Sequence, residues 1–402
     1  MGPVHFQMLR LLASTPFFGK KPQRLTIPSA DDQIAYKNLL HRPQVSLDLS
    51  ELKEFYKGKR ILITGAGGSI GSEIAQQVAD MGATHVSLVE NSELALYSID
   101  QALGLKAGFV MTKRAILCDI RRKDRLMSVV RTERPDIIFH AAALKHVPMV
   151  EQNPSEGVLT NVLGTQNLIE VANACKVAQL VMISSDKAVA PSSLMGATKR
   201  LAEHLIRHNG LKSSAYTQAC VVRFGNVLGS TGSVVPLFRA QIERGGPITI
   251  TDPKAERFFM TILEAVQLVL QAALQNTKSS ADMPNLYVLE MGTPVRIVDL
   301  AKRMIRLYGL KAGRDIEIKF IGLRDGEKLT EDLTDIDETQ APVMPGIFEV
   351  VSQNETHVIE PEDLERLFQI ASKSEDDLVR SLLFSFVNKI HRPQANFTAA
   401  AE

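Results

Sequence analysis

Ile61-Leu62-Ile63-Thr64-Gly65-Ala66-Gly67-Gly68-Ser69-Ile70-Gly71 is an apolar run that breaks into glycines and resumes as a helical pattern, with Ile74, Val78 and Met81 on one face. Continuous apolarity over Ile61–Thr64 fits a strand buried on both sides, and the period that follows fits an amphipathic helix. A strand, a glycine turn and a helix in that order present free backbone N–H groups at the helix start, which suits an anion. Gly65 permits the tight turn, Gly68 lets the backbone approach a pyrophosphate, and Gly71 lets helix and strand pack closely. Ser69 and Ile70 open the helix whose N–H groups face the phosphates. The plainer alternative, an ordinary glycine turn, has no need of the strand and helix that flank this one.

Outward from this stretch the strand pattern repeats at Val86–Val89, Ala115–Cys118, Ile137–Phe139, Leu180–Ile183 and Cys220–Val222. Strands that alternate with helices imply an α/β fold, a doubly wound parallel sheet of Rossmann type covered on both faces. Glu90 closes the second strand about 20 residues past the glycines, where a carboxylate accepts the adenosine ribose hydroxyls and repels a 2′-phosphate. A solvated strand end is the alternative for Glu90. Asp119-Ile120, after the third strand, falls near the adenine ring, with a helix cap as its alternative. These residues point to NAD in preference to NADP.

After Val222 the rhythm changes. Gly225 to Ser233 is rich in small residues, as suits a loop close to a ligand. A helix over Val235–Glu243, a strand over Ile248–Thr251 and helices over Ile262–Ala273 and Ile297–Leu307 make a smaller, mostly helical lobe. The expected organisation is an irregular arm over 1–45, a dinucleotide domain over 46–225, mainly a substrate lobe over 226–390 with some elements returning to the first domain, and a disordered tail over 391–402.

Lys plus Arg is 46 and Asp plus Glu is 45 among 402 residues, so no global field favours nucleic acid or a membrane, and phosphate binding has to be local. Cys118, Cys175 and Cys220 lie scattered without a CxxC, two of them in or beside apolar runs, which reads as buried thiols in a reducing compartment. The N-terminal patches around Leu11-Leu12 and Phe17-Phe18 are interrupted by Arg10, Pro16 and Lys20-Lys21, far short of the ~20 apolar residues of a spanning helix. The expectation is a soluble, cytoplasmic protein, with peripheral contact through Phe17-Phe18 as the minor alternative. His146 has no companion at metal spacing, so no metal is expected.

Residues 46–390 resemble a known family. Thr64–Gly71 matches the cofactor loop of extended short-chain dehydrogenases/reductases, and His140-Ala141-Ala142-Ala143-Leu144-Lys145-His146-Val147-Pro148 resembles the fourth-strand signature of polysaccharide-biosynthesis sugar dehydratases. Asn161-Val162-Leu163-Gly164-Thr165, Ser184-Ser185-Asp186-Lys187-Ala188, Arg223-Phe224-Gly225-Asn226 and Gly326-Glu327-Lys328-Leu329 resemble further signatures in the same order. The group most similar is the UDP-GlcNAc 4,6-dehydratases. Its larger members carry an N-terminal transmembrane block, and residues 1–45 look like the segment that follows one; without it the expectation is a soluble form.

The resemblance implies an internal redox cycle: hydride leaves C4 of the sugar for NAD, water is lost across C5 and C6, and hydride returns to C6. It implies that Asp186 protonates the leaving 6-hydroxyl, that Lys187 removes the C5 proton, and that Ser185 keeps a hydroxyl on the 4-oxygen. Lys199 matches the lysine of the YxxxK motif, on the nicotinamide ribose; Met195 stands where the motif has tyrosine, a change some members of the group share. Ala141 and Ala142 fall beside the cofactor, and Lys145, His146 and Asn161 at the substrate. Asn226 with the Gly229–Ser233 loop holds the diphosphate, Arg257 and Arg324 are candidates for its oxygens, and Glu327 belongs to the substrate-lobe motif. The family tends toward homo-oligomers. UDP, GDP and dTDP remain open, as does the C5 stereochemistry. A 4-epimerase or other reductase, and a non-catalytic NAD-binding protein, are the competing readings.

Overall fold

The computed structural model describes Leu39, Val45 and residues 48–106, 111–209, 217–279, 283–352 and 358–391. Most of the expected arm over 1–45, Phe17-Phe18 included, and the expected tail beyond His391 lie outside the described residues.

Nine strands form the main sheet: β1 (Arg60–Thr64), β2 (His85–Glu90), β3 (Thr112–Leu117), β4 (Ile137–His140), β5 (Gln179–Ile183), β6 (Gln218–Arg223), β7 (Asn285–Leu289), β8 (Glu338–Met344) and β9 (Ile347–Ser352). Their spatial order is β8-β9-β7-β6-β5-β4-β1-β2-β3. From β3 to β7 every pairing is parallel, while β9 runs antiparallel to β7 and to β8. The strand order reverses between β1 and β4, the switch point where open α/β sheets bind ligands beyond their carboxyl ends.

Central strands are apolar along most of their length because helices cover both faces: all five residues of β5 are buried, and so are Ile61–Thr64 of β1. On one face Ile74 and Val78, from the helix Ser69–Asp80, and Val266 and Val269, from the helix Ile262–Asn276, pack against Ile61, Ile63, Val181 and Cys220. The other face carries the helices Gly164–Ala174 and Leu194–His204, over which the two C-terminal helices, Pro361–Ser372 and Asp376–His391, lay Leu367, Leu383 and Phe386. β3 is an edge strand with largely exposed side chains, so it begins earlier in the chain than its apolar residues do.

The second half of the chain divides. Helices Val234–Glu243 and Ile297–Leu307 and the paired strands Ile248–Ile250 and Ile318–Phe320 enclose a small separate core with Phe238, Ile248 and Ile305. β7, β8, β9, the helix Ile262–Asn276 and both C-terminal helices instead belong to the sheet and its cover.

Candidate active site

The glycine turn after β1 is tight for stated reasons. Gly65 has φ +66°, and a Cβ on it would sit 2.6 Å from both N and Cα of Ala142, so the turn lies directly on the segment after β4. A Cβ on Gly71 would collide with the Gly65 carbonyl, and one on Gly67 would approach the Ala95 Cβ to 2.5 Å. The helix Ser69–Asp80 starts with no side-chain cap, which leaves first-turn amides to face the switch-point crevice.

Glu90 accepts from the Gly67 amide at 3.1 Å through Oε2 and from the Asn91 and Ser92 amides at 2.9 and 3.1 Å through Oε1. It therefore stiffens the glycine turn while retaining acceptor capacity for hydroxyls. Asp119 accepts from the Arg121 amide and guanidinium; burial opposes its ionisation, but Arg121 holds it below the ordinary carboxylate range. Ile120 is buried beneath Gly164. His140 is clasped between the hydroxyls of Thr64 (2.8 Å) and Thr165 (2.9 Å), and burial, helped by the Lys199 charge, lowers it to about 3, so it is neutral. Lys199 donates to the Ile183 carbonyl at 2.7 Å, and burial lowers it to about 8. Uncapped amides, three glycines on which a Cβ would clash and the Glu90 carboxylate at the end of β2 together fit a dinucleotide.

The catalytic segment leaves β5 at Ile183. Ser185 caps the short turn Asp186–Ala188, accepting from the Lys187 amide at 3.3 Å and donating to Asp186 Oδ1 at 2.9 Å. Asp186 is wholly buried. Lys187 Nζ lies 2.9 Å from Asp186 Oδ1, 3.2 Å from Asn226 Oδ1 and 3.7 Å from Glu331 Oε1. Asp186 Oδ2 is buried with no partner among the described residues, and a Cβ on Gly225 would stand 3.2 Å from it.

This ion pair opens into a cleft of about 250 Å³, lined by Lys145, His146, Lys187, Asn226, Arg257, Arg324, Glu327, Lys328 and Glu331 among others. Seven residues expected at the site thus meet there. Burial in the cleft lowers Lys145, although solvent still reaches it, and burial together with the Lys145 charge lowers His146. Arg324 is exposed at the rim. Arg257, expected on phosphate, has its guanidinium committed to the carbonyls of Glu256, Lys328 and Leu329 at 2.7 to 2.9 Å, so it fastens the 327–331 segment.

Two expected residues stand elsewhere. Asn161, in a π-turn, uses its amide on both main-chain groups of Leu144 and on Thr198, so it shapes the loop behind the cleft. Met195 is 3% exposed in the apolar cluster of Leu194 and Leu201, a packing position. Conversely, Glu331, unremarked in the sequence, is buried against Lys187, and Ser69 Oγ accepts from the Thr231 amide at 3.1 Å, joining the glycine turn to the 229–233 loop. Of the cysteines, Cys118 and Cys220 are buried and Cys175 is partly exposed. Among the described residues no helix is long and apolar enough to cross a membrane.

The sheet order and the switch-point turn define an extended short-chain dehydrogenase/reductase fold. The chain belongs to the polysaccharide biosynthesis protein family, which matches over residues 61–352. It is 46% identical over 306 residues to the capsular polysaccharide biosynthesis protein CapD of Staphylococcus aureus, a match that covers 76% of this chain and 50% of that one. The chain thus spans about half the length of that curated relative. It is 34% identical to a UDP-glucose 4-epimerase of Rickettsia rickettsii, over 70% of this chain and 79% of that one. Among solved structures it resembles Pen from Bacillus thuringiensis, with TM-score 0.65 and 35% identity, covering 74% of this chain and 91% of that one.

Proposed function

We propose that this chain is an NAD-dependent nucleotide-sugar 4,6-dehydratase acting on a UDP-N-acetylhexosamine, UDP-GlcNAc in the first instance. The observation that carries the reading is the buried Asp186–Lys187 pair at the carboxyl end of β5, facing a cleft rich in cations. A wholly buried carboxylate beside an amine, with one oxygen free, is equipped for acid–base work that a plain reductase does not need.

In this reading the amides of the Gly65–Gly71 turn hold the cofactor pyrophosphate, Glu90 its adenosine ribose, Asp119 and Ile120 the adenine end, Ala141 and Ala142 the face beside β4, and Lys199 the nicotinamide ribose. Bound NAD would supply the two-electron oxidation at C4 and, in its reduced form, the matching reduction at C6. Asp186, paired with Lys187, accepts the 4-hydroxyl proton directly or through Ser185; Met195, a buried thioether, has no basic group to do so. The 4-ketone acidifies C5–H, Lys187 takes that proton, and Asp186, now protonated, gives its proton to the 6-hydroxyl, which leaves as water. Arg324, Lys145 and Asn226 face the nucleotide diphosphate. On the same resemblance the protein works as a homo-oligomer in the cytoplasm.

Rapid mixing with UDP-GlcNAc tests the cycle. Reduced-nicotinamide absorbance is expected to rise and decay without net NADH, and Asp186→Asn is expected to abolish the rise. An Asp186→Asn variant that reduces its cofactor at the wild-type rate would remove the carboxylate from this role. A 4-epimerase is the second reading, favoured by the similarity to the Rickettsia enzyme.

A further inference from the structure

Lys187 presents a problem of charge. Its ammonium is paired with Asp186 at 2.9 Å, yet only a neutral amine can take a proton from carbon. The proton it carries needs somewhere to go: the lysine side chain is only 21% exposed, and the 324–331 segment is tied down beside it through Ser192 Oγ to the Gly326 carbonyl (3.0 Å) and Lys328 Nζ to the Val189 carbonyl (3.0 Å).

Glu331 is the second carboxylate beside Lys187 among the described residues. Its side chain is 5% exposed, Oε1 lies 3.7 Å from Lys187 Nζ and 4.0 Å from Arg257 Nε, and Oε2 is buried with no partner among the described residues. We infer that Glu331 is the proton-holding partner of Lys187, a positioning residue that receives the ammonium proton and so leaves Lys187 as the free amine that attacks C5–H. The inference rests on the dehydratase reading above.

The charge sequence then closes. When Asp186 takes the 4-hydroxyl proton it becomes neutral, and Lys187 loses its counterion. One Nζ–H bond breaks, an Oε–H bond forms on Glu331, and an ionic pair becomes a neutral pair, which a desolvated site favours. Lys187 next accepts the C5 proton while the C5–H electron pair forms the C5–C6 double bond and expels the 6-hydroxyl, protonated by Asp186; on reduction at C6 the proton on Lys187 returns to C5, and the proton on Glu331 returns to Lys187. The groups that face Glu331 are Lys187 and Asp186 from the turn after β5, Arg257 from the strand Glu256–Arg257, and Lys328 from its own segment. Burial dominates among them and raises the Glu331 carboxyl above its ordinary range.

Glu331→Gln and Glu331→Asp test this in two assays on the intact protein. Transient cofactor reduction on mixing with UDP-GlcNAc precedes the Lys187 step and is expected at the wild-type rate in both. Exchange of the C5 proton with deuterated solvent is expected to fall about 10²-fold in Glu331→Gln at neutral pH. It should recover about tenfold per pH unit toward alkali, since the lysine can then release its proton only to solvent; wild type should be flat over that range and Glu331→Asp intermediate. A wild-type pH profile of exchange in Glu331→Gln overturns the inference alone, and so does loss of both steps together, which marks a structural role. A wild-type protein that neither reduces its cofactor nor exchanges C5 overturns the dehydratase reading, and this inference with it.

Discussion

Two buried charge clusters are built from the same stretch of chain, and they differ in how completely they are paired. Glu338 joins Arg200, Glu203 and Arg223 beneath the sheet: Arg223 is wholly buried and contacts Glu338 at 2.6 and 3.0 Å and Glu203 at 2.7 and 2.9 Å, while Arg200 meets Glu338 at 2.9 Å. All four carboxylate oxygens have partners. Seven residues earlier Glu331 joins Asp186, Lys187 and Arg257, and there Asp186 Oδ2 and Glu331 Oε2 are buried with none among the described residues. In the first cluster the unpartnered buried atom is a donor, Arg200 Nε, so its carboxylates are closed to a further proton, whereas the second cluster is open to one at a cost in stability. Ser184 Oγ, 2.5 Å from Glu203 Oε1, ties the two together, so the closed cluster anchors the segment on which the open one works.

The comparison breaks most visibly at Arg223. Arg223→Met leaves two buried carboxylates to share Arg200 and is expected to cost about 3–5 kcal/mol, read as a lowered urea midpoint. Lys187→Ala, in the open cluster, removes a cation that is 21% exposed and is expected to lower that midpoint less than Arg223→Met does, yet slow product formation by about 10² to 10⁴. An equal loss of stability in both variants would erase the distinction. Met195→Ala sharpens it from a third side: a cavity costing about 2 kcal/mol or more, with turnover of the folded enzyme within a few-fold of wild type.

A smaller effect is expected in acid. His140, lowered by burial to about 3 from an ordinary 6.5, binds its proton only when unfolded, so stability falls as pH drops from about 6.5 toward 3. Glu338 is held far below the carboxylate range: burial opposes this, but the Arg223 and Arg200 charges prevail. Its contribution is present above the ordinary carboxylate pKa and is lost as pH falls through that region. In His140→Asn the loss of stability should therefore begin lower, in the carboxylate range alone; an unchanged acid limb would show that His140 does not set it.

The parallel core was legible because strands buried on both faces must be apolar: Ile61–Thr64, Leu180–Ile183 and Cys220–Val222 announce themselves, as does the glycine turn between strand and helix. The opening of β3 was not, since Thr112-Lys113-Arg114 form an exposed edge and carry no apolar signal. Nor was the antiparallel extension β8–β9, whose residues are half-exposed and whose place depends on pairing with β7. At the site, the residues inside long signatures converge on one cleft. Asn161 and Arg257 show where such reading stops: residue type fits a ligand, but the neighbouring carbonyls have already claimed their hydrogen bonds. Glu331 gave no signal, because its burial arises only when the 324–331 segment folds over the turn after β5.

The central claim is that the open cluster performs an elimination, and product analysis tests it most directly. The protein is incubated with UDP-GlcNAc in deuterated water and the nucleotide sugar examined by NMR and mass spectrometry. The account predicts a UDP-linked 4-keto-6-deoxy sugar, lighter by one water and carrying deuterium at C5. UDP-GalNAc with its C5 proton intact, or unchanged UDP-GlcNAc in the presence of reduced and reoxidised cofactor, would contradict it.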